Sequence, residues 1–393
     1  MLKEYQGRIA KLQMAMKEKG LSGSFIMDRV SLFYYFGTIP SGSGYIPVQS
    51  KPELFVRRGL PRAQAESPFT VNQIKSFRTI KSFFESRSWT AAGQIGLEFD
   101  RVPHNLFLLL QKYFPEAEFV DISGILKQQR AVKSEYELDI LVEAGRRAAR
   151  SFAQIPTLLQ AKQVTELDAM AKFEAIMRQE GHQGLVRMHA FNAEIYYGVF
   201  ASGISANANT AYDVPIGTPG RYPATPFLCS QKEIQVNEPI MVDLVFGYQG
   251  YMVDQTRIYV IGSLPQPLGD AFQCALTIQE QVVSLLKPGV SGAELYQKAH
   301  DIAQDWGLAE NFMGFQENRV AFIGHGVGLE LDELPLLAPG YQTPLLENMV
   351  IALEPKFFFT HLGGVGIENT FRVTATGGEK LTPFPDDLIT IQQ

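Results

Sequence analysis

The chain has 393 residues, 46% of them hydrophobic and 19% charged, with a formal net charge of −6. This is the composition of a globular protein with ample core, long enough for two domains, and its charge excludes a basic field for nucleic acid or for an anionic membrane surface. No apolar run is long enough to span a bilayer, and the two cysteines, Cys229 and Cys274, form no CxxC pair, which fits a reducing, cytoplasmic setting.

Leu2, Tyr5, Ile9, Leu12 and Met16 recur at helical spacing and Gly20 follows, so the chain opens on an amphipathic helix. Charges recur along it, unlike in a signal peptide. The stretches GSFIMD, SLFYYFG, GYIPVQS, ELFVRRG and QIGLEFD read as short strands punctuated by glycine and proline. VPHNLFLLLQKYF reads as a helix and AEFVDIS as a further strand. The expectation is an α/β class protein whose first domain, residues 1–128, is built on a mixed sheet.

The second domain is expected over residues 129–393. Ser134 and Glu137 form a capping box ahead of an amphipathic helix. A second helix runs from about Thr165 to Gln179 and stops at Gly181. A strand-and-loop region follows. A helix around Ala271–Leu286 and another behind the capping box of Ser291 and Glu294 repeat the order, and strands follow to the end. Two helices then a β region, twice, indicates an internal duplication with pseudo-two-fold symmetry.

The chemistry lies in two hairpins. In IMVDLVFGYQGYMVDQTRIYV the midpoint between Asp243 and Asp254 falls between Tyr248 and Gln249, so a turn centred there sets the carboxylates directly opposite. In VIALEPKFFFTHLGGVGIENTFRVT the midpoint of Glu354 and Glu368 is His361, which opposes the glutamates in the same way. Like charges so placed destabilise a strand pair, and buried carboxylates are costly unless neutralised. A lysine or arginine partner is the plain alternative, and Arg257, three residues past Asp254, is a candidate. Two such pairs favour divalent cations, since four carboxylates balance two of them. His325, between glycines in GHGVGLELDELP, is the histidine placed to join them. His104 and His300 read as helix residues and His361 as a loop tip, while His182 and His189 stay open.

In this order and in these motifs, Asp243, Asp254, His325, Glu354 and Glu368 resemble the five ligands of the pita-bread metallopeptidases: methionine aminopeptidases, aminopeptidase P and prolidase, with creatinase as a metal-free relative. LKQQRAVKSEYELDILVEAGRRA resembles the start of the catalytic domain in prolidase-like members. The resemblance implies a creatinase-like N-terminal domain over 1–128 and a pita-bread catalytic domain over 129–393. It implies two divalent ions, Mn²⁺ or Co²⁺ first and Zn²⁺ or Fe²⁺ as alternatives, and a metal-bridging hydroxide that cleaves the peptide bond of Xaa-Pro substrates. In it Asp243 is a terminal ligand, Asp254 and Glu368 bridge, His325 and Glu354 complete the second ion, Glu354 shuttles the proton and Thr256 steadies a ligand by its hydroxyl. It further implies a homodimer.

The substrate side departs from that pattern. ASGISANANTAYDVPIGTPG keeps Ser202 and Gly203, but no histidine occurs between His189 and His300. The position before the glutamate of HE-x-P is Asp332, and Gly366 stands where prolidases tend to carry arginine. Asp332 cannot donate as imidazole does; it can attract an N-terminal amine. The segment 204–226 is expected to form a lid or pocket wall, with Tyr212, Asp213 and Tyr222 as substrate candidates, and VRMHAFNAE adds Arg187, His189 and Asn192. The resemblance implies a small peptide as substrate. Creatinase-like or ectoine-hydrolase-like C–N hydrolysis of a non-peptide metabolite is the alternative, and a binding protein that kept the fold is a third.

Overall fold

The computed structural model describes every residue except Ser88, Ala161, Lys162, Ala211 and Gln393, and in the helix Ile80–Ser86 it leaves aside the side chains of Ile80, Lys81 and Phe84. Two compact units result, Met1–Arg130 and Ala131–Gln393. Among the described residues no helix is long and apolar enough to cross a membrane.

The first unit is built on a six-stranded mixed sheet in the order Ile74–Ser76, Glu53–Arg58, Ser41–Pro47, Gly23–Ile26, Gly93–Leu97 and Ala117–Asp121. The helix Leu2–Glu18 buries Tyr5, Ile9, Leu12 and Met16, the stripe its spacing foretells. SLFYYFG is a helix and not a strand: Arg29–Phe36 starts where the Asp28 carboxylate accepts from the N–H groups of Val30 and Ser31, and ends at Gly37 with φ 73°. An unbroken apolar run fits either state when buried on all sides, and here the caps decide.

The second unit repeats one order. Helices Glu135–Phe152 and Glu166–Gln179 precede the strands Gly198–Ser202, Pro239–Tyr248 and Tyr251–Ile261; helices Gln266–Ser284 and Gly292–Asp305 precede the remaining strands. Both expected capping boxes form, and Thr165 with Asp168 makes a third. A four-stranded sheet runs Ile389–Ile391, Tyr251–Ile261, Pro239–Tyr248, Gly198–Ser202. A five-stranded sheet runs Glu333–Leu336, Gly324–Gly326, Val350–Leu353, Asn369–Thr374, Gly377–Lys380. They meet at one backbone bridge, where the N–H of Thr256 donates to the carbonyl of Glu368 at 3.3 Å and the reverse bond is 3.4 Å.

The first hairpin does not have the expected register. Tyr248 pairs with Tyr251, so Asp243 faces Thr256 and Asp254 faces Val245. The turn is Gln249–Gly250, with φ of 48° and 93°. A two-residue turn of this hand needs positive φ at both positions, and Gly250 supplies one of them without steric cost. A centre at Tyr248–Gln249 would force it on a tyrosine. The aspartates are therefore diagonal neighbours on one face, not opposed. In the second hairpin the pairs Leu353↔Asn369 and Lys356↔Gly366 lie on either side of Glu354 and Glu368, which sets those two opposite each other.

Candidate metal centre

The strands of the second unit bring Asp243, Asp254, His325, Glu354, Glu368 and Asp332 to the wall of one cavity of about 340 Å³. Asp254, Glu354 and Glu368 are buried: Asp254 in the strand Tyr251–Ile261, Glu354 directly after Val350–Leu353 and Glu368 directly before Asn369–Thr374. Ligand atoms of Asp254, His325 and Glu368 all lie within 4.8 Å of one another, a donor set of two carboxylates and one imidazole that could hold a divalent ion. Burial, then the charges of Glu368 and Asp243, push the Asp254 carboxyl well above its ordinary range. Burial likewise raises Asp243, against the pull of Lys356.

His325 sits in Gly324–Gly326 and pairs with Ala352. Its Nδ1 lies 2.9 Å from the carbonyl of Leu331 and 3.1 Å from that of Gly326. Carbonyls only accept, so Nδ1 carries the proton and Nε2 presents its lone pair, 3.8 Å from Glu354 Oε1. Burial alone would lower this histidine, but Asp332, Glu354 and Glu368 outweigh it and raise it. Thr256 donates its hydroxyl to Glu368 Oε2 at 2.7 Å. Asp332, with 40% of its side chain exposed, lies 3.7 Å from His325 Nδ1.

One group was missed. The Lys356 ammonium lies 2.6 Å from Glu354 Oε2, 3.0 Å from Glu368 Oε2 and 3.1 Å from Asp243 Oδ2, with its side chain 1% exposed. Burial would depress this amine, but the three carboxylates hold it well above its usual value. The sequence signal was there: Lys356 is two residues past Glu354, so in an extended chain both point to one face. Arg257 does not partner Asp254. Three residues on, it faces the other side and binds Asp386. The residues therefore fit one divalent ion at Asp254, His325 and Glu368, while the space among Asp243, Glu354 and Glu368 already holds a cation.

The other candidates divide. Tyr212 and Asp213 line the cavity with Val214, Pro215 and Ile216, so part of 204–226 forms its wall; Ala211 lies outside the described residues. Asn192 lines it too. Tyr222 is exposed and pairs locally with Thr225. Arg187 and His189 are not in the lining: the Arg187 carbonyl accepts from the N–H of Leu331, and His189 meets Glu330 at 3.1 Å. Ile204, following Ser202 and Gly203, is exposed.

His182 is structural. Its Nδ1 accepts from the N–H of Gly184 at 2.8 Å and its Nε2 lies 3.2 Å from the Val245 carbonyl, an arrangement for neutral imidazole. Burial pushes its pKa down to about 4. Its folded value thus lies below the unfolded one of about 6.5, so its contribution is complete above that pH and is lost as pH falls toward 4. Between pH 7 and 4.5 the wild type should lose roughly 2–3 kcal/mol more unfolding free energy than His182→Asn in urea titrations; equal losses would contradict this.

Residues 139–375 match metallopeptidase family M24, and residues 8–132 match the creatinase/prolidase N-terminal domain. The Xaa-Pro dipeptidase of Pyrococcus furiosus is 27% identical over 385 residues, which cover 97% of this chain and 99% of that protein. The crystal structure of the prolidase from Pyrococcus horikoshii OT3 aligns with a TM-score of 0.80 at 26% identity, over 98% of this chain and 100% of the other. The X-Pro aminopeptidase from Thermotoga maritima MSB8 aligns with a TM-score of 0.80 at 25% identity, over 98% and 99%.

Proposed function

The chain belongs to metallopeptidase family M24, a peptidase with the pita-bread fold, and from that premise we propose that it hydrolyses Xaa-Pro dipeptides or removes the residue ahead of proline from short peptides. The cavity carries this reading. At about 340 Å³ it suits a dipeptide-sized ligand, with Glu354 and Glu368 on one side and Ile195, Ile216, Phe227 and Phe322 among its apolar wall. The apolar side suits a prolyl ring, and the Asp332 carboxylate suits the peptide ammonium.

A divalent cation held by Asp254, His325 and Glu368 would activate water and polarise the scissile carbonyl. Glu354, in the same wall, accepts the proton of the attacking water and returns it to the leaving amine. Thr256 steadies Glu368 by its hydroxyl bond, and the Leu331 carbonyl orients His325 through Nδ1. Purified protein, stripped and then supplied with Mn²⁺ or Co²⁺, should release proline from Xaa-Pro dipeptides and stop when EDTA is added. No turnover across a panel of dipeptides and longer Xaa-Pro-led peptides would remove the peptide reading.

One observation favours a second reading. Among the described residues His325 is the one histidine in the cavity wall, so a substrate carbonyl meets no second imidazole. C–N hydrolysis of a small non-peptide metabolite then becomes the alternative, and turnover of a cyclic amidine with peptides inert would favour it.

A further inference from the structure

We infer that this centre holds one divalent cation, on Asp254, His325 and Glu368, and that the Lys356 ammonium stands in place of a second. The inference rests on the metallopeptidase reading above and differs from the two-ion arrangement that the family resemblance implies.

The first support is geometric. An ammonium has three N–H donors and no acceptor, and Lys356 has three carboxylate oxygens around it, at 2.6, 3.0 and 3.1 Å. Each donor has a partner. An ion at the same point would need those oxygens at about 2.0–2.2 Å, which leaves no room for the nitrogen. The oxygens in question belong to Asp243, Glu354 and Glu368, and Asp243 has no place in the other donor set.

The second support is the room made for the lysine. Lys356 pairs across its hairpin with Gly366. A Cβ on Gly366 would lie 2.6 Å from Lys356 Cγ and 2.8 Å from its Cα. The bare glycine therefore leaves space for the lysine stem, and Gly366 is the position where prolidases tend to carry arginine. The two residues fit each other: Lys356 puts a cation among the carboxylates and Gly366 admits it.

Charge agrees. Asp243, Asp254, Glu354 and Glu368 carry four negative charges when ionised, and one ammonium with one divalent ion offsets three. Lys356 is not in the cavity lining, so it acts as a positioning and charge-balancing residue behind the carboxylates.

The test counts ions. The purified 393-residue chain is stripped, loaded with Mn²⁺, desalted and measured by elemental analysis and electron paramagnetic resonance. Wild type should carry one Mn²⁺ per chain with the six-line spectrum of an isolated ion. Lys356→Gly should carry two, with the spectrum of an exchange-coupled pair; Lys356→Ser serves if the glycine variant does not fold. Two ions on the wild type would overturn the inference and leave the peptidase reading standing. One ion on both proteins would overturn the role given to Lys356. No ion on either, with no metal-dependent cleavage of Xaa-Pro dipeptides, would overturn the reading beneath it as well.

Discussion

Glu354→Gln lowers kcat on an Xaa-Pro dipeptide by about 10²–10⁴-fold, the range lost when a positioned general base is removed. KM should change far less, because the apolar wall is untouched. The substitution is sterically mild. Glu354 Oε2 accepts from Lys356 at 2.6 Å and Oε1 faces His325 Nε2 at 3.8 Å. A glutamine can turn its carbonyl oxygen to Lys356 and so keep the hydrogen bond that Glu354 makes. Lys356 also keeps Asp243 and Glu368. What disappears is a group able to take a proton. Steady-state kinetics alongside urea unfolding would separate these effects. Activity within about fivefold of wild type, at unchanged stability, would remove Glu354 from the proton-transfer role.

Much of this was legible in the sequence because it is local. Ser134 with Glu137 and Ser291 with Glu294 mark helix starts through bonds within four residues, and both starts lie where the motifs put them. Asp254, His325, Glu354 and Glu368 meet in one cavity, each carried by a short strand motif that can be read alone. The failures share a physical cause: each needed information from elsewhere in the chain or from backbone sign. The register of Asp243 turned on which two residues take positive φ. Arg257 was a candidate partner for Asp254 by nearness in number, but an odd spacing in a strand sends it to the other face. Lys356 stood in the quoted motif, two residues from Glu354, yet its third carboxylate, Asp243, comes from the other hairpin. SLFYYFG carries no alternation to distinguish strand from helix, and only Asp28 and Gly37 settle it. Arg187 and His189 had polar chemistry but no spacing argument, and they fall outside the cavity lining.

Arg257→Met should cost about 3–5 kcal/mol of stability, since it removes several hydrogen bonds from one buried charged group, each worth about 1.5–3 kcal/mol before the neighbours readjust. The guanidinium is fully buried, with side-chain exposure of 0%. It donates to the carbonyls of Pro385, Phe384, Thr256 and Glu368 at 2.6, 2.7, 2.7 and 2.8 Å, and to the side chains of Asn369 and Asp386 at 2.8 Å each. Asp386 is partly exposed and keeps Lys380 at 2.6 Å, the Phe384 carbonyl keeps Lys380 at 3.1 Å, and the Thr256 and Glu368 carbonyls keep their bridge bonds, so the cost lies in the charge-assisted bonds lost and in the Pro385 carbonyl. Two of those carbonyls belong to Thr256 and Glu368, the residues of the bridge that joins the two sheets. The arginine thus fixes from behind the backbone that carries Glu368 into the cavity. Its removal should therefore lower the urea midpoint and weaken Mn²⁺ binding together, even where the protein is still folded. Arg257→Lys keeps the charge but not the planar fork, and so should fall between the two. A midpoint shift equivalent to less than about 1 kcal/mol for the methionine variant, the size of one ordinary hydrogen bond, would show that the bridge holds without it.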